Sequence, residues 1–366
     1  MTFARRAKPG FRLFGAGLLA LAFAWSAACE DRRHVAPSAV HARRAAKPNA
    51  RGNSSSAGSS GNSATAGNAT AGTQQAAPTF GRDQQEPVAP AFGGDEAEPA
   101  QVGRERIVVL GDYGSAGLRE QQVAELVHGL QPDYVLTTGD NNYPVGAAST
   151  IDENIGQYFS DLIFPYRGAY PSGSSKNKFY PVLGNHDWYT DDAAAYLAYF
   201  TLPGNERYYD VVLGDVHFFA LDSDEHEPDG INATSVQALW LEQGLKASKS
   251  AFNIVAMHHP PYSSGPHGNT QYMQWPYAEW GADLVLAGHD HCYERLNIDG
   301  VTYIVSGLGG ASLYSFAEPA DGSVARYNEQ YGATILEVDA DDMRISFFDI
   351  DGKLIDRSNI RSPARR

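Results

Sequence analysis

The sequence predicts an α/β fold, with two packed β-sheets and helices on their outer faces. Three features predict it. Strand-length apolar runs and helix-length stretches follow one another from near Arg106 to Ile350. The runs are numerous, which points to two sheets packed together. Five of them end in Asp, Asn or His, often just past a glycine, and layered α/β folds gather their ligands at the carboxyl ends of strands.

Taken in order, Ile107-Val108-Val109-Leu110 is a short apolar strand that runs into Gly111-Asp112. Leu118 to Leu130 carries Leu118, Val123, Leu126, Val127 and Leu130 at near-helical spacing. Tyr134-Val135-Leu136 is a strand ending in Gly139-Asp140, and Tyr180-Pro181-Val182-Leu183 is another ending in Gly184-Asn185-His186. Val216 to Leu221 reads as a strand and Val236 to Leu245 as a helix. Ile254-Val255-Ala256-Met257 ends in His258, and Leu284-Val285-Leu286-Ala287 ends in Gly288-His289. Val301 to Val305, Ala333 to Val338 and Met343 to Ile350 supply the last strands. Glycine at a strand end lets the chain turn sharply, so the polar residues beyond should project into one crevice.

The 366 residues are not uniform. Residues 1–29 have the anatomy of an export signal: Arg5, Arg6, Lys8 and Arg12, then an apolar stretch from Leu13 to Trp25, then Ser26-Ala27-Ala28. Cys29 follows where a bacterial lipoprotein carries its lipidated cysteine, although Ser26 stands where such sites usually have Leu. Arg5-Arg6 also raises a twin-arginine signal, which the following residues fit poorly. The expected location is the periplasm, the outer surface or the medium, with a possible membrane tether through Cys29. Residues 30–102 are rich in Ala, Gly, Ser, Thr, Asn, Pro and Gln, too polar to offset chain entropy, and read as a disordered linker. Residues 103–360 remain for one catalytic domain. A formal net charge of −15 argues against non-specific nucleic-acid binding. Cys29 and Cys292 are the only cysteines, which excludes a disulfide framework.

The strand ends bring Asp112, Asp140, Tyr143, Asn185, His186, His258, His289 and His291 toward one place. Carboxylate, imidazole and amide oxygen suit first-row divalent or trivalent cations rather than a thiolate site. One aspartate can bridge two cations, and a pair of cations is a recognised device for hydrolysing phosphate esters. Singly, each Gly-Asp or Asn-His would be an ordinary turn. Five in order, each ending an apolar strand, are not explained as independent turns.

The segments resemble the five motif blocks of the metallophosphoesterase superfamily, and within it the purple acid phosphatases. They are Gly111-Asp112-Tyr113-Gly114, Gly139-Asp140-Asn141-Asn142-Tyr143, Gly184-Asn185-His186-Asp187, Val255-Ala256-Met257-His258 and Gly288-His289-Asp290-His291, spread over about 180 residues. The resemblance implies a four-layer sandwich of two mixed sheets flanked by helices. Most of the superfamily opens with Asp-x-His; here Gly114 stands in the histidine's place, and Tyr143 appears in the next motif, where the purple enzymes supply a phenolate. By resemblance, Asp112, Asp140, Tyr143 and His291 hold ferric iron. Asp140, Asn185, His258 and His289 hold a divalent ion (Fe, Zn or Mn), and Asp140 bridges. His186 would lie beside the phosphate without binding metal. The plant-type β-sandwich domain has no counterpart here, which places the chain nearer the small, tartrate-resistant type.

His267 sits where similar enzymes line the pocket with a histidine, as an acid or a supporting residue. His259 follows a ligand and is expected to point away. Cys292 is expected to be a small buried residue. Asp187 and Asp290 are either orienting partners for neighbouring histidines or plain loop carboxylates. The expected activity is hydrolysis of phosphate monoesters by a metal-activated water, as in an acid phosphatase. The alternative is a phosphodiesterase of the same superfamily acting on nucleotides or phospholipid head groups. A non-catalytic surface binding module would require lost ligands, and none is lost.

Overall fold

A computed structural model of the chain describes residues 103–171 and 173–362. The predicted export segment, Cys29 and the predicted linker up to residue 102 lie outside the described residues. In chain order the strands are β1 (Glu105–Leu110), β2 (Tyr134–Thr137), β3 (Phe179–Tyr180), β4 (Tyr209–Leu213), β5 (Val216–Ala220), β6 (Phe252–Ala256) and β7 (Leu284–Ala287). There follow β8 (Tyr293–Ile298), β9 (Val301–Ser306), β10 (Ser323–Tyr327), β11 (Gly332–Val338), β12 (Asp342–Asp349) and β13 (Leu354–Arg361).

They form two mixed sheets, ordered β13-β12-β11-β1-β2-β3 and β10-β8-β9-β7-β6-β5-β4. In the first, β1, β2 and β3 are parallel and β11 to β13 run antiparallel. In the second, β5, β6, β7 and β9 are parallel. Both parallel blocks therefore end in the same sense as the predicted motifs.

Side chains of a strand alternate between its two faces, and the second sheet spells this out. Phe218, Ile254, Leu284 and Ile304 join a core with Ile107, Val109 and Phe347 of the first sheet. Their neighbours Phe219, Val255, Val285 and Tyr303 pack instead with Ala238, Leu241 and Leu245 of the helix Val236–Ala247. A sheet covered on both faces needs continuous apolar strands, which is why these runs are legible.

The helix Leu118–Gly129 buries Val123, Ala124, Leu126 and Val127, but Leu118 is 69% exposed and lies off the apolar stripe. Glu120 is fully buried at its start and accepts the backbone N–H groups of Ser115 and Ala116 at 2.8 and 2.7 Å. The strand expected at Tyr180–Leu183 is shorter: β3 stops at Tyr180. Pro181 has no N–H to continue a ladder, and the Val182 N–H goes to Thr137 Oγ1 at 3.2 Å.

Candidate metal centre

Each polar residue is delivered by a strand end. Asp112 follows β1, Asp140 follows β2, His258 follows β6, and His289 and His291 follow β7. Asn185 and His186 open the helical turn Asn185–Trp188. Asp112, Asp140 and His289 have φ of 58°, 54° and 67°, a left-handed backbone that is costly for side-chain-bearing residues and concentrates at functional sites.

Two glycines are required by close approach. A Cβ at Gly139 (φ 94°) would meet the His258 ring at 2.6 Å. A Cβ at Gly114 would lie 1.7 Å from the Asn141 carbonyl oxygen. A histidine cannot stand at Gly114 without rebuilding the loop that carries Tyr143, whose N–H donates to the Gly114 carbonyl at 2.7 Å. The absent histidine and the present tyrosine are thus one structural choice.

Asp140 stands between two groups and is 2% exposed. Its Oδ2 accepts from Tyr143 Oη at 2.9 Å, and its Oδ1 lies 3.3 Å from His258 Nε2. On the Tyr143 side, the phenol oxygen is 3.4 Å from Asp112 Oδ1 and 3.2 Å from His291 Nε2. Asp112, Asp140 and His291 offer ligand atoms all within 4.8 Å of one another. On the His258 side, Nε2 is 3.0 Å from Asn185 Oδ1 and 3.2 Å from His289 Nδ1. All seven expected ligands meet in one place.

The histidines are oriented by the backbone. His258 Nδ1 donates to the Thr138 carbonyl at 2.8 Å and His291 Nδ1 to the Ser312 carbonyl at 2.6 Å. Each then turns Nε2 toward a carboxylate. A lone pair facing a carboxylate at 3.3 Å repels it unless a proton or a cation lies between. The phenol makes the same point. Burial, with Asp112 and Asp140 beside it, pushes Tyr143 far above the usual tyrosine range. A nearby cation would reverse that and free the oxygen to act as a ligand. The donor set fits a pair of cations.

His186 lies just outside the two groups. Its Nδ1 donates to the Pro144 carbonyl at 2.6 Å, and Nε2 is 3.9 Å from Asp140 Oδ2. The His267 ring is 4.2 Å from that of His289, at the exposed rim. His259 does not point away as expected: its ring is 4.5 Å from His289, with Nδ1 on Ser223 Oγ at 2.9 Å. Cys292 is buried and free.

Neither Asp187 nor Asp290 orients a ring nitrogen, because the backbone carbonyls have taken that task. Asp187 accepts the Gly184 N–H and the Asn141 amide at 2.9 and 2.8 Å. Asp290 accepts Ser263 Oγ and the His267 N–H, pinning the loop that carries His267. Sequence reasoning missed Tyr314, whose ring stacks on His291 at 4.0 Å, and Tyr189, whose hydroxyl accepts from Asn185 Nδ2 at 2.7 Å. Tyr189 had a signal, since it lies four residues beyond Asn185 across a helical turn; Tyr314 had none.

A separate cavity lies away from these residues. It encloses about 710 Å³ and is lined by Asp215, Asn253, Asp283 and Asp299 among others, at the amino ends of the parallel strands. Its Asp283 carboxylate accepts the Asn253 N–H at 2.9 Å. Convergence of acceptor groups, rather than volume, marks the site.

The profile of the calcineurin-like phosphoesterase family matches residues 105–293, more than half the chain. Purple acid phosphatase 17 of Arabidopsis thaliana is 29% identical over 289 residues, covering 69% of this chain and 83% of the relative. Human tartrate-resistant acid phosphatase type 5 is 24% identical over 310 residues, covering 71% of this chain and 92% of the relative. The purple acid phosphatase PPD1 from yellow lupin seeds (Lupinus luteus) superposes with a TM-score of 0.58 at 19% identity, covering 73% of this chain and 55% of the lupin chain.

Proposed function

Because the chain belongs to the calcineurin-like phosphoesterase family, we propose that it is an exported, dinuclear-metal acid phosphatase that hydrolyses phosphate monoesters. The observation that carries this reading is Asp140. Its two carboxylate oxygens face two distinct ligand groups, one containing Tyr143 and the other His258.

Asp112, Asp140, Tyr143 and His291 would hold one cation, and Asp140, Asn185, His258 and His289 the other. The phenolic oxygen suits ferric iron, and the imidazole-rich group suits Fe(II), Zn or Mn. When bound, such a pair supplies an acidified water and neutralises charge on the phosphoryl group. The chain's own residues supply the rest. The carbonyls of Thr138 and Ser312 fix the ligand rings, so the cations meet a preformed site. Pro144 holds His186 by Nδ1, leaving Nε2 to donate to a phosphoryl oxygen or protonate the leaving oxygen. His267, beside His289 at the rim, is a second proton source for a departing group.

Metal analysis of the purified protein, with hydrolysis of an aryl phosphate monoester and the matching diester at acid pH, tests this. Two ions per chain and faster monoester cleavage are expected. Preference for the diester would move the protein to the phosphodiesterases of the family. Export rests on the pattern of Met1 to Cys29. An unprocessed amino terminus on the cellular protein would rule it out.

A further inference from the structure

We propose that Tyr189 positions the Asn185 amide for the second cation and gives the site a preference for phosphate monoesters with an aromatic leaving group. The proposal rests on the phosphomonoesterase reading and on Asn185 as a ligand.

The first part follows from the amide. Asn185 Oδ1 is 3.0 Å from His258 Nε2, and Asn185 Nδ2 donates to Tyr189 Oη at 2.7 Å. The two ends of an amide have the same shape, so its orientation is set by the partner that each end finds. An amide with no acceptor for its N–H₂ on the outer side could turn over and aim that group at the centre. It would then be lost as an oxygen ligand. In the ligand orientation the N–H₂ needs another acceptor, and the phenol oxygen of Tyr189 is that acceptor. Asn185 and Tyr189 are four residues apart across one helical turn, so the bond is built into the backbone.

The second part follows from the ring. Tyr189 is 57% exposed although its hydroxyl is tied to the site. Its ring lies 4.9 Å from that of His186, which lies 4.4 Å from Tyr143. An aromatic surface thus runs from the centre, past the group placed to meet the leaving oxygen, to the rim. A tyrosine anchored at its oxygen offers a rigid π-face, on which an aryl group gains more than a flexible alkyl group does.

Two variants separate the parts, with circular dichroism to establish the fold of each. Zinc affinity is measured by equilibrium dialysis, and kcat/KM for phenyl phosphate and for glycerol phosphate. Tyr189→Phe keeps the ring and removes the acceptor; it should lower affinity for one of two zinc ions by roughly 10-fold or more and keep the aryl preference. Tyr189→Leu should lose that affinity too, and reduce the phenyl-to-glycerol ratio by about 2- to 10-fold. Unchanged zinc affinity in the Phe variant overturns the positioning role. An unchanged ratio in the Leu variant overturns the preference. A wild type that holds fewer than two ions, or cleaves neither ester, overturns the phosphatase reading itself and this proposal with it.

Discussion

The two halves of the centre share Asp140 and differ in everything else. One half gathers Asp112, Tyr143 and His291, where oxygen and negative charge dominate. The other gathers Asn185, His258 and His289, where imidazole dominates. The cause is local. At Gly114 the backbone presses on the Asn141 carbonyl, so no side chain fits, and the next loop supplies a phenol instead. In the other half, β6 and β7 lie side by side and end in histidines whose rings are 5.0 Å apart. Two similar sets of strand ends thus carry a hard oxygen group and a softer nitrogen group. The difference teaches that donor chemistry, rather than fold, would select two unlike cations.

Replacing the shared residue should do the most damage. In Asp140→Ala both halves lose a ligand, so both metals should be depleted and hydrolysis should fall to background. Full metal content in that variant, read by elemental analysis, would remove Asp140 from the bridging role.

A change confined to one half comes next. Tyr143→Phe keeps the ring beside His186 and removes the donor oxygen. If the phenol oxygen binds ferric iron, the oxidised wild type should be purple or pink and the variant should lose that band. Iron affinity should fall by roughly 10-fold or more, with the second ion retained. A colourless iron-loaded wild type, or a band unchanged in the variant, would make Tyr143 an ordinary pocket residue.

His186 belongs to neither half. His186→Ala should leave both metals in place and slow turnover by roughly 10²–10⁴. Loss of metal instead would show that the ring is a ligand and that the division of roles is wrong.

What the sequence made legible was whatever the core demands. β1, β2, β6 and β7 are buried on both faces, so their apolar runs stand out and their polar ends with them. Strands at or near a sheet edge did not. β4, β10 and β13 alternate exposed and covered residues, as in Ser323-Val324-Ala325-Arg326-Tyr327. β8 buries Glu294, which accepts from Ser264 and Ser323, so its strand character is hidden by charge. The expected ligand residues, which the structure brings together, were legible because it is their side chains that would bind. Their orienting partners were not, since Thr138, Ser312 and Pro144 act through carbonyls that every residue has. Of the two alternatives for Asp187 and Asp290, the orienting role is the one the structure does not bear out, for that reason.

The smallest expected effect concerns protons and shows what a cation replaces. Burial works against a charged His258, but Asp140 and Asp112 beside it prevail and push the imidazole up to about 10 in the metal-free protein. In the other half, burial likewise opposes charge on His291, and Asp112 raises it. A free histidine titrates near pH 6.5, so between that value and about 10 the folded metal-free chain binds a proton on His258 that the unfolded chain has lost. The stabilisation is fully present below about pH 6.5 and is lost as pH rises through about 10. A bound cation takes the place of the proton between His258 Nε2 and Asp140, so loading must release protons. Urea unfolding of the chelated protein should therefore show stability declining from pH 6.5 to 10, whereas the loaded protein should hold nearly level across that range. His258→Gln should flatten most of the decline in the chelated form. If chelated and loaded proteins lose stability in parallel, His258 does not face a cation, and the second half of the centre loses its imidazole pair.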